Sequence, residues 1–150
     1  MKELNKMELK FRALSQNESF ARASVAGFCM SLNPTMDELT DIKTAVSEAV
    51  TNCIVHAYPT SQKGDIVITT TIYNGCVKIE IRDFGVGIKD IEQAKRPFFT
   101  TAGTSDRSGM GFTVMESFMD NLNVKNEDKG VLVTLTKTIN SCEENVLQLG

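Results

Sequence analysis

Residues 65–87 read DIVITTTIYNGCVKIEIRDFGVG. Ile66, Ile68, Thr70 and Ile72 alternate with their neighbours before Asn74-Gly75, and Val77, Ile79 and Ile81 alternate after it. A period of two on both sides of a dipeptide suited to a tight turn predicts a β-hairpin with one buried face. Upstream, Met7, Leu9, Phe11 and Ala13 alternate with Lys6, Glu8, Lys10 and Arg12, which predicts a first strand. Ser15-Gln-Asn-Glu18 and Thr35-Met-Asp-Glu38 have the form of capping boxes. The first predicts a helix with Ala21, Val25, Phe28 and Leu32 inward, ending near Asn33-Pro34. The second predicts a helix with Ile42, Val46, Ala49, Cys53 and Ala57 inward, ending near Tyr58-Pro59.

Downstream, residues 83–111 are rich in Gly, Thr and Ser and too long for a plain connection, so a functional loop or lid is expected there. A helix beginning near Gly111 and carrying Val114, Met115, Phe118 and Met119 follows, then two strands around Glu127-Asp-Lys-Gly130, the last running Val131 to Thr138. The order strand, helix, helix, strand, strand, lid, helix, strand, strand lacks the series needed for a doubly wound parallel sheet. It predicts an α+β fold, a two-layer α/β sandwich. One domain over residues 1–139 with a loose tail over 140–150 is expected.

The 150 residues are 41% hydrophobic and 23% charged, ordinary for one globular domain. A net charge of -3 gives no broad basic field, so nucleic acid is not an expected partner. The uncharged run from Ala23 to Met36 is too short and polar to span a bilayer, and the N-terminus has no apolar signal segment, so a cytoplasmic protein is expected. Cys29, Cys53, Cys76 and Cys142 are far apart and only His56 could join them at a metal, so reduced thiols are expected.

Three elements carry chemistry. Glu48, Asn52 and His56 recur four apart on the second helix, on one face beside the apolar stripe. A carboxylate and an amide one turn apart suit phosphoryl transfer, the amide oxygen helping to hold Mg²⁺ and the carboxylate taking a hydroxyl proton; a solvated helix face explains them equally simply. Asp83-Phe-Gly85-Val-Gly87 follows the hairpin, where glycines let a flat ligand approach backbone and Asp83 can accept from an exocyclic amine; a plain turn is the alternative. Arg107-Ser108-Gly109-Met110-Gly111-Phe112 leads into a helix, where free N–H groups and the helix dipole suit a phosphate chain; a loop with an ordinary helix start is the alternative. Neither a dinucleotide fingerprint nor a P-loop is present.

In this order the three elements resemble the N box, G1 box and G2 box of the GHKL group, the Bergerat-fold ATPases and kinases. With Asn17-Glu-Ser-Phe-Ala-Arg22, Asp37-Glu-Leu-Thr40 and Phe99-Thr-Thr101, the chain resembles the sporulation anti-sigma F factors within that group. The resemblance implies a mixed, mostly antiparallel sheet covered by helices on one face. It implies a homodimeric, ATP- and Mg²⁺-dependent serine kinase that holds sigma F inactive and phosphorylates an anti-anti-sigma partner. By the same likeness Glu48 is the general base, Asn52 binds Mg²⁺, His56 lies at the pocket edge, and Asp83 reads the adenine amino group with Gly85 and Gly87 against the base. Residues 95–109 form an ATP lid, with Thr101 and Arg107 near the phosphates. Ser108, Gly109, Met110, Gly111 and Phe112 lie along the phosphate cradle, and Arg22 grips protein partners. Family members often carry Thr after the glycine opening the last strand, whereas here Gly130 precedes Val131, with Thr134 further on. A nucleotide-gated sigma-sequestering module without kinase chemistry, and an ATP-hydrolysing switch, are the alternative functions.

Overall fold

The computed structural model describes residues 1–96 and 111–139. Five strands form one sheet in the order β1-β2-β3-β5-β4. These are β1 (Asn5–Arg12), β2 (Asp65–Tyr73), β3 (Cys76–Asp83), β4 (Asn121–Asn126) and β5 (Val131–Thr138). The expected predominance of antiparallel pairing holds, since all four pairings are antiparallel. The hairpin closes at Tyr73 opposite Cys76, and Gly75 sits at φ 72° as the turn requires.

Helices α1 (Glu18–Cys29), α2 (Met36–Asn52) and α4 (Gly111–Phe118) cover one face, with α2 packed between α1 and α4. Ile66, Ile68, Ile79, Ile81 and Leu135 from the sheet meet Val25, Ile42, Val46, Val50 and Met115 from the helices, and all are buried. The expected inward stripe of α2, Ile42 to Ala57, is buried throughout. On α4 the inward residues are Phe112 and Met115, with Met119 just beyond, while Phe118 is exposed at the helix end. A short helix, α3 (Ile91–Ala94), lies between β3 and α4.

Thr35 and Glu38 form the expected capping box: Thr35 Oγ1 accepts from Glu38 N–H (3.1 Å), and Glu38 Oε1 accepts from Thr35 N–H (2.9 Å). The box expected at Ser15–Glu18 does not form. Ser15–Asn17 make a 3₁₀ turn with no side-chain cap, and the Glu18 carboxylate accepts from the Ser47 hydroxyl and pairs with Arg22 at 3.8 Å. Tertiary partners on α2 and one turn along α1 take the carboxylate that the local motif would have used. α1 ends at Cys29, and a 3₁₀ turn, Met30–Leu32, carries the helical run to the expected end, with Asn33 in the left-handed region at φ 54° before Pro34.

The second helix reaches Tyr58 as expected, but its last turn, Cys53–Ala57, is π-helical. Such a turn inserts an extra residue and re-aims the side chains around it, commonly at functional sites. The tail expected over 140–150 lies outside the described residues.

Candidate active site

β3 and β5 are neighbours, and their ends form the floor of a cavity of about 720 Å³, within the roughly 300–1,000 Å³ usual for small-molecule sites. Asn52, Cys53 and His56 from α2 and its π-helical turn line one side, and Gly85 and Gly87 the loop beyond β3. Gly111 and Phe112 at the start of α4 also line the cavity. Seven of the residues singled out in sequence (Asn52, His56, Asp83, Gly85, Gly87, Gly111 and Phe112) therefore meet in one cavity.

Asp83 is 4% exposed. Its Oδ1 accepts from the N–H of Gly85 (3.0 Å) and of Val131 (3.2 Å), and its Oδ2 accepts from the Cys53 thiol (3.6 Å). Burial raises the Asp83 pKa above the ordinary carboxylate value, while the Gly85 and Val131 amides, the Cys53 thiol and the Arg82 charge pull it back. Those donors stabilise the ionised form, which is the acceptor an amine needs. The Cys53 thiol is pushed up by burial and then by the Asp83 charge, so it stays protonated and able to donate. Burial lowers the His56 pKa, favouring the neutral imidazole.

Two glycines are required by close approach. A Cβ on Gly85 would overlap the Ala57 carbonyl, to which Val86 N–H donates at 3.0 Å. A Cβ on Gly130, at φ 84°, would overlap Asp83 itself. At both glycines backbone is thus packed on backbone. Gly111 faces the Asn52 amide, 2.9 Å from a Cβ position to Nδ2 and 3.0 Å to Oδ1. α4 is described from Gly111, beside that amide, and the first turn of a helix offers N–H groups and a dipole that favour an anion.

Glu48 lies elsewhere. It lines a separate depression of about 270 Å³ between α1 and α2, together with Arg22, Lys43 and Ser47. Asn52 lies one helical turn further along α2, so the two features adjoin. Thr101, Arg107, Ser108, Gly109 and Met110, and most of the expected lid, lie outside the described residues. Val131 and Val133 face the cavity, and Thr134 is on the opposite sheet face, paired with Glu80 and Asn123.

Among the described residues no group of three His, Cys, Asp or Glu side chains is arranged to hold a metal. A resident ion does not fit that donor set, whereas one amide oxygen at the anion end fits a Mg²⁺ held mostly by phosphate oxygens and water.

Several positioning residues escaped the sequence reading. The Tyr58 hydroxyl donates to Asp65 C=O (2.7 Å) and accepts from Phe84 N–H (2.8 Å), tying the π-helical turn to β2 and β3. The Lys63 ammonium donates to the carbonyls of Ile54 (3.0 Å) and Tyr58, which the end of the helix leaves open. Asn126 pairs its amide with both backbone groups of Ile88, at 2.8 and 2.7 Å. Lys63 had a local signal, a cation just past a helix end; Asn126 had none.

Residues 11–137 match the family described as histidine kinase-like ATPase domain. Anti-sigma F factors are similar over nearly their whole length. The one from Geobacillus sp. (strain WCH70) is 56% identical over 90% of this chain and 93% of its own. The one from Bacillus subtilis (strain 168) is 53% identical over 89% and 92%. Among solved structures, the RsbU and RsbW domains of Rv1364c from Mycobacterium tuberculosis superpose with a TM-score of 0.66 at 20% identity, covering 91% of this chain and 33% of that one. The histidine kinase domain from Erythrobacter litoralis EL346 gives 0.54 at 14% identity, covering 87% and 64%. These two likenesses show the shared fold.

Proposed function

The chain belongs to the histidine kinase-like ATPase family and, within it, to the anti-sigma F factors, and from that premise we propose how its residues divide the work. The protein binds and inhibits sigma F, and as an ATP-dependent protein-serine kinase it phosphorylates a serine of its anti-anti-sigma partner, controlling transcription in sporulation. It acts in the cytoplasm as a homodimer, its kinase domain spanning residues 1–139. Among the described residues no helix is long and apolar enough to cross a membrane. The exposed edge strand β1, with half-buried Met7, Leu9 and Phe11, is the feature that supports self-association.

The observation that carries this reading is one cavity lined both by the buried Asp83 carboxylate and by the start of α4 beside Asn52. A carboxylate suits the adenine amine and a helix N-terminus suits phosphates, so the cavity has the polarity of a nucleoside triphosphate. Bound Mg-ATP supplies the terminal phosphoryl group and the cation that neutralises its charge. Asp83 holds the base, with Gly85 and Gly87 against its plane and His56 at the edge. Asn52 orients the phosphate end, supported by Gly111 and Phe112. Glu48 takes the proton from the incoming serine hydroxyl. What supports that role is its place outside the cavity, a turn from Asn52 and in the depression it shares with Arg22, where a protein substrate has access. Arg22 grips the partner. Thr101, Arg107, Ser108, Gly109 and Met110 complete the phosphate cradle, Arg107 stabilising charge during transfer.

Transfer of labelled terminal phosphate from Mg-ATP to the anti-anti-sigma protein tests this, with wild type beside Glu48→Ala. Wild type transfers phosphate, and the variant loses transfer while retaining ATP and sigma binding. Sigma and nucleotide binding with no transfer by wild type would leave a sequestering module, and phosphate release without an acceptor would leave an ATP-hydrolysing switch.

A further inference from the structure

The two oxygens of Asp83 are held by different kinds of donor. Oδ1 accepts from two main-chain amides, Gly85 and Val131, whose places are fixed by the loop after β3 and by the start of β5. Oδ2 accepts from a side chain, the Cys53 thiol, at 3.6 Å. The two oxygens share one plane and turn together about Cβ–Cγ in a broad torsional well, so a donor on either oxygen resists rotation of both. The thiol on Oδ2 adds its hold to that of the amides on Oδ1. It has a single hydrogen to give, and Oδ2 keeps acceptor capacity beyond it.

Cys53 is 4% exposed and lines the cavity next to Asn52. On helical periodicity alone it is one more member of the buried stripe of α2, and an alanine would serve that purpose. Its position in the first residue of the π-helical turn, within reach of a buried carboxylate, gives it a task that packing does not require.

We propose that Cys53 is a positioning residue for base recognition: its thiol donates to Asp83 Oδ2, steadies the carboxylate plane together with the amides on Oδ1, and leaves the other lone pair of Oδ2 to meet the exocyclic amine of a 6-aminopurine. The inference rests on the reading of the cavity as an adenine site. The ligand class it selects is a purine nucleotide carrying that amine, against one lacking it. Cys53 touches neither phosphate nor acceptor, so its effect falls on base discrimination.

Equilibrium binding to the full chain separates this from packing. The probes are ATP and purine riboside triphosphate, which lacks the amine, and the proteins are wild type, Cys53→Ala and Cys53→Ser. Wild type prefers ATP. Cys53→Ala reduces that preference about fivefold, the share of one neutral hydrogen bond, by weakening ATP and leaving the analogue unchanged. Cys53→Ser restores most of the preference because a hydroxyl donates to the same oxygen. Equal weakening of both nucleotides in Cys53→Ala, or an unchanged preference, would overturn the positioning role. No preference in wild type would instead overturn the adenine reading, and this inference with it.

Discussion

Gly85 lies so close to the carbonyl of Ala57 that no Cβ fits between them, and the next amide, Val86 N–H, donates to that same oxygen at 3.0 Å. The loop after β3 is thereby laid directly on the π-helical turn that ends α2. Both sides of the contact are backbone, so neither can rotate away. Gly85→Ala is expected to destabilise the protein by about 1–3 kcal/mol, the usual cost of overpacking, and to weaken ATP by displacing the floor. Gly27 is the control: it is exposed on α1 with nothing within 4 Å of a Cβ position, so Gly27→Ala is expected to stabilise by roughly 0.5–1 kcal/mol. Urea denaturation midpoints of the two variants must move in opposite directions.

Gly111→Ala acts differently, because what meets its Cβ is the Asn52 amide at 2.9–3.0 Å, the far end of a flexible side chain. The amide can turn aside at little cost to folding, about 1 kcal/mol or less. On the proposed reading it cannot turn aside and still orient the phosphate end of a nucleotide. Thermal unfolding close to that of wild type, together with a loss of ATP affinity of roughly tenfold or more, is the expected pair of results, about what loss of one charge-assisted hydrogen bond costs. A large fall in unfolding temperature with unchanged affinity would mean that Asn52 serves packing alone.

Asp83 and His56 make opposite contributions to the pH dependence of stability. Burial raises the folded pKa of Asp83, so its contribution is fully present below the ordinary carboxylate range and is lost as pH rises through the raised value. Burial lowers the folded pKa of His56 below 6.5, so its contribution is present above that value and is lost as pH falls through the lowered one. Urea titrations between about pH 7.5 and about pH 4.5 separate them. Wild type gains stability relative to Asp83→Asn on acidification, and loses it relative to His56→Gln. The same sign for both variants would show that burial is not what sets these two groups.

The parts of this arrangement that were readable in sequence are those whose chemistry is local. Asn74-Gly75 dictates a turn, and Thr35 and Glu38 satisfy each other's backbone within one helical turn. Ser15 and Glu18 carry the same local pattern, yet Glu18 answers to Ser47 and Arg22, and the Asn17 amide donates to Arg12 C=O at 2.9 Å. A pattern read over four residues cannot weigh a partner on another helix. The π-helical turn at Cys53–Ala57 is hidden for the same reason: Tyr58 and the Gly85 loop hold it through backbone groups that carry no sequence signature, and the Lys63 cation signals only that a helix has ended. Gly85 stood out in sequence because few residue types let backbone approach closely, although what approaches it here is the Ala57 carbonyl. Cys53 was read as core, since its spacing is that of core and its donor role depends on a strand thirty residues away.

Asn126 offers the sharpest test of how the loop beyond Gly87 is held. Its Oδ1 accepts from Ile88 N–H at 2.8 Å and its Nδ2 donates to Ile88 C=O at 2.7 Å, so one side chain on β4 stands in for a strand partner. Gly87 sits at φ 80°, with Asn126 Oδ1 3.1 Å from its Cβ position. Loss of both bonds in Asn126→Ala is expected to lower the cost of opening this loop by about 1–2 kcal/mol, a roughly tenfold loss of amide protection at Ile88. Hairpin amides such as Ile68 and Ile79 should exchange as before. Asn126→Asp keeps the acceptor but replaces the donor with an oxygen facing the Ile88 carbonyl. If both halves of the pairing hold the loop, the aspartate variant is no better protected than the alanine one; wild-type protection in Asn126→Asp would show that the acceptor alone suffices.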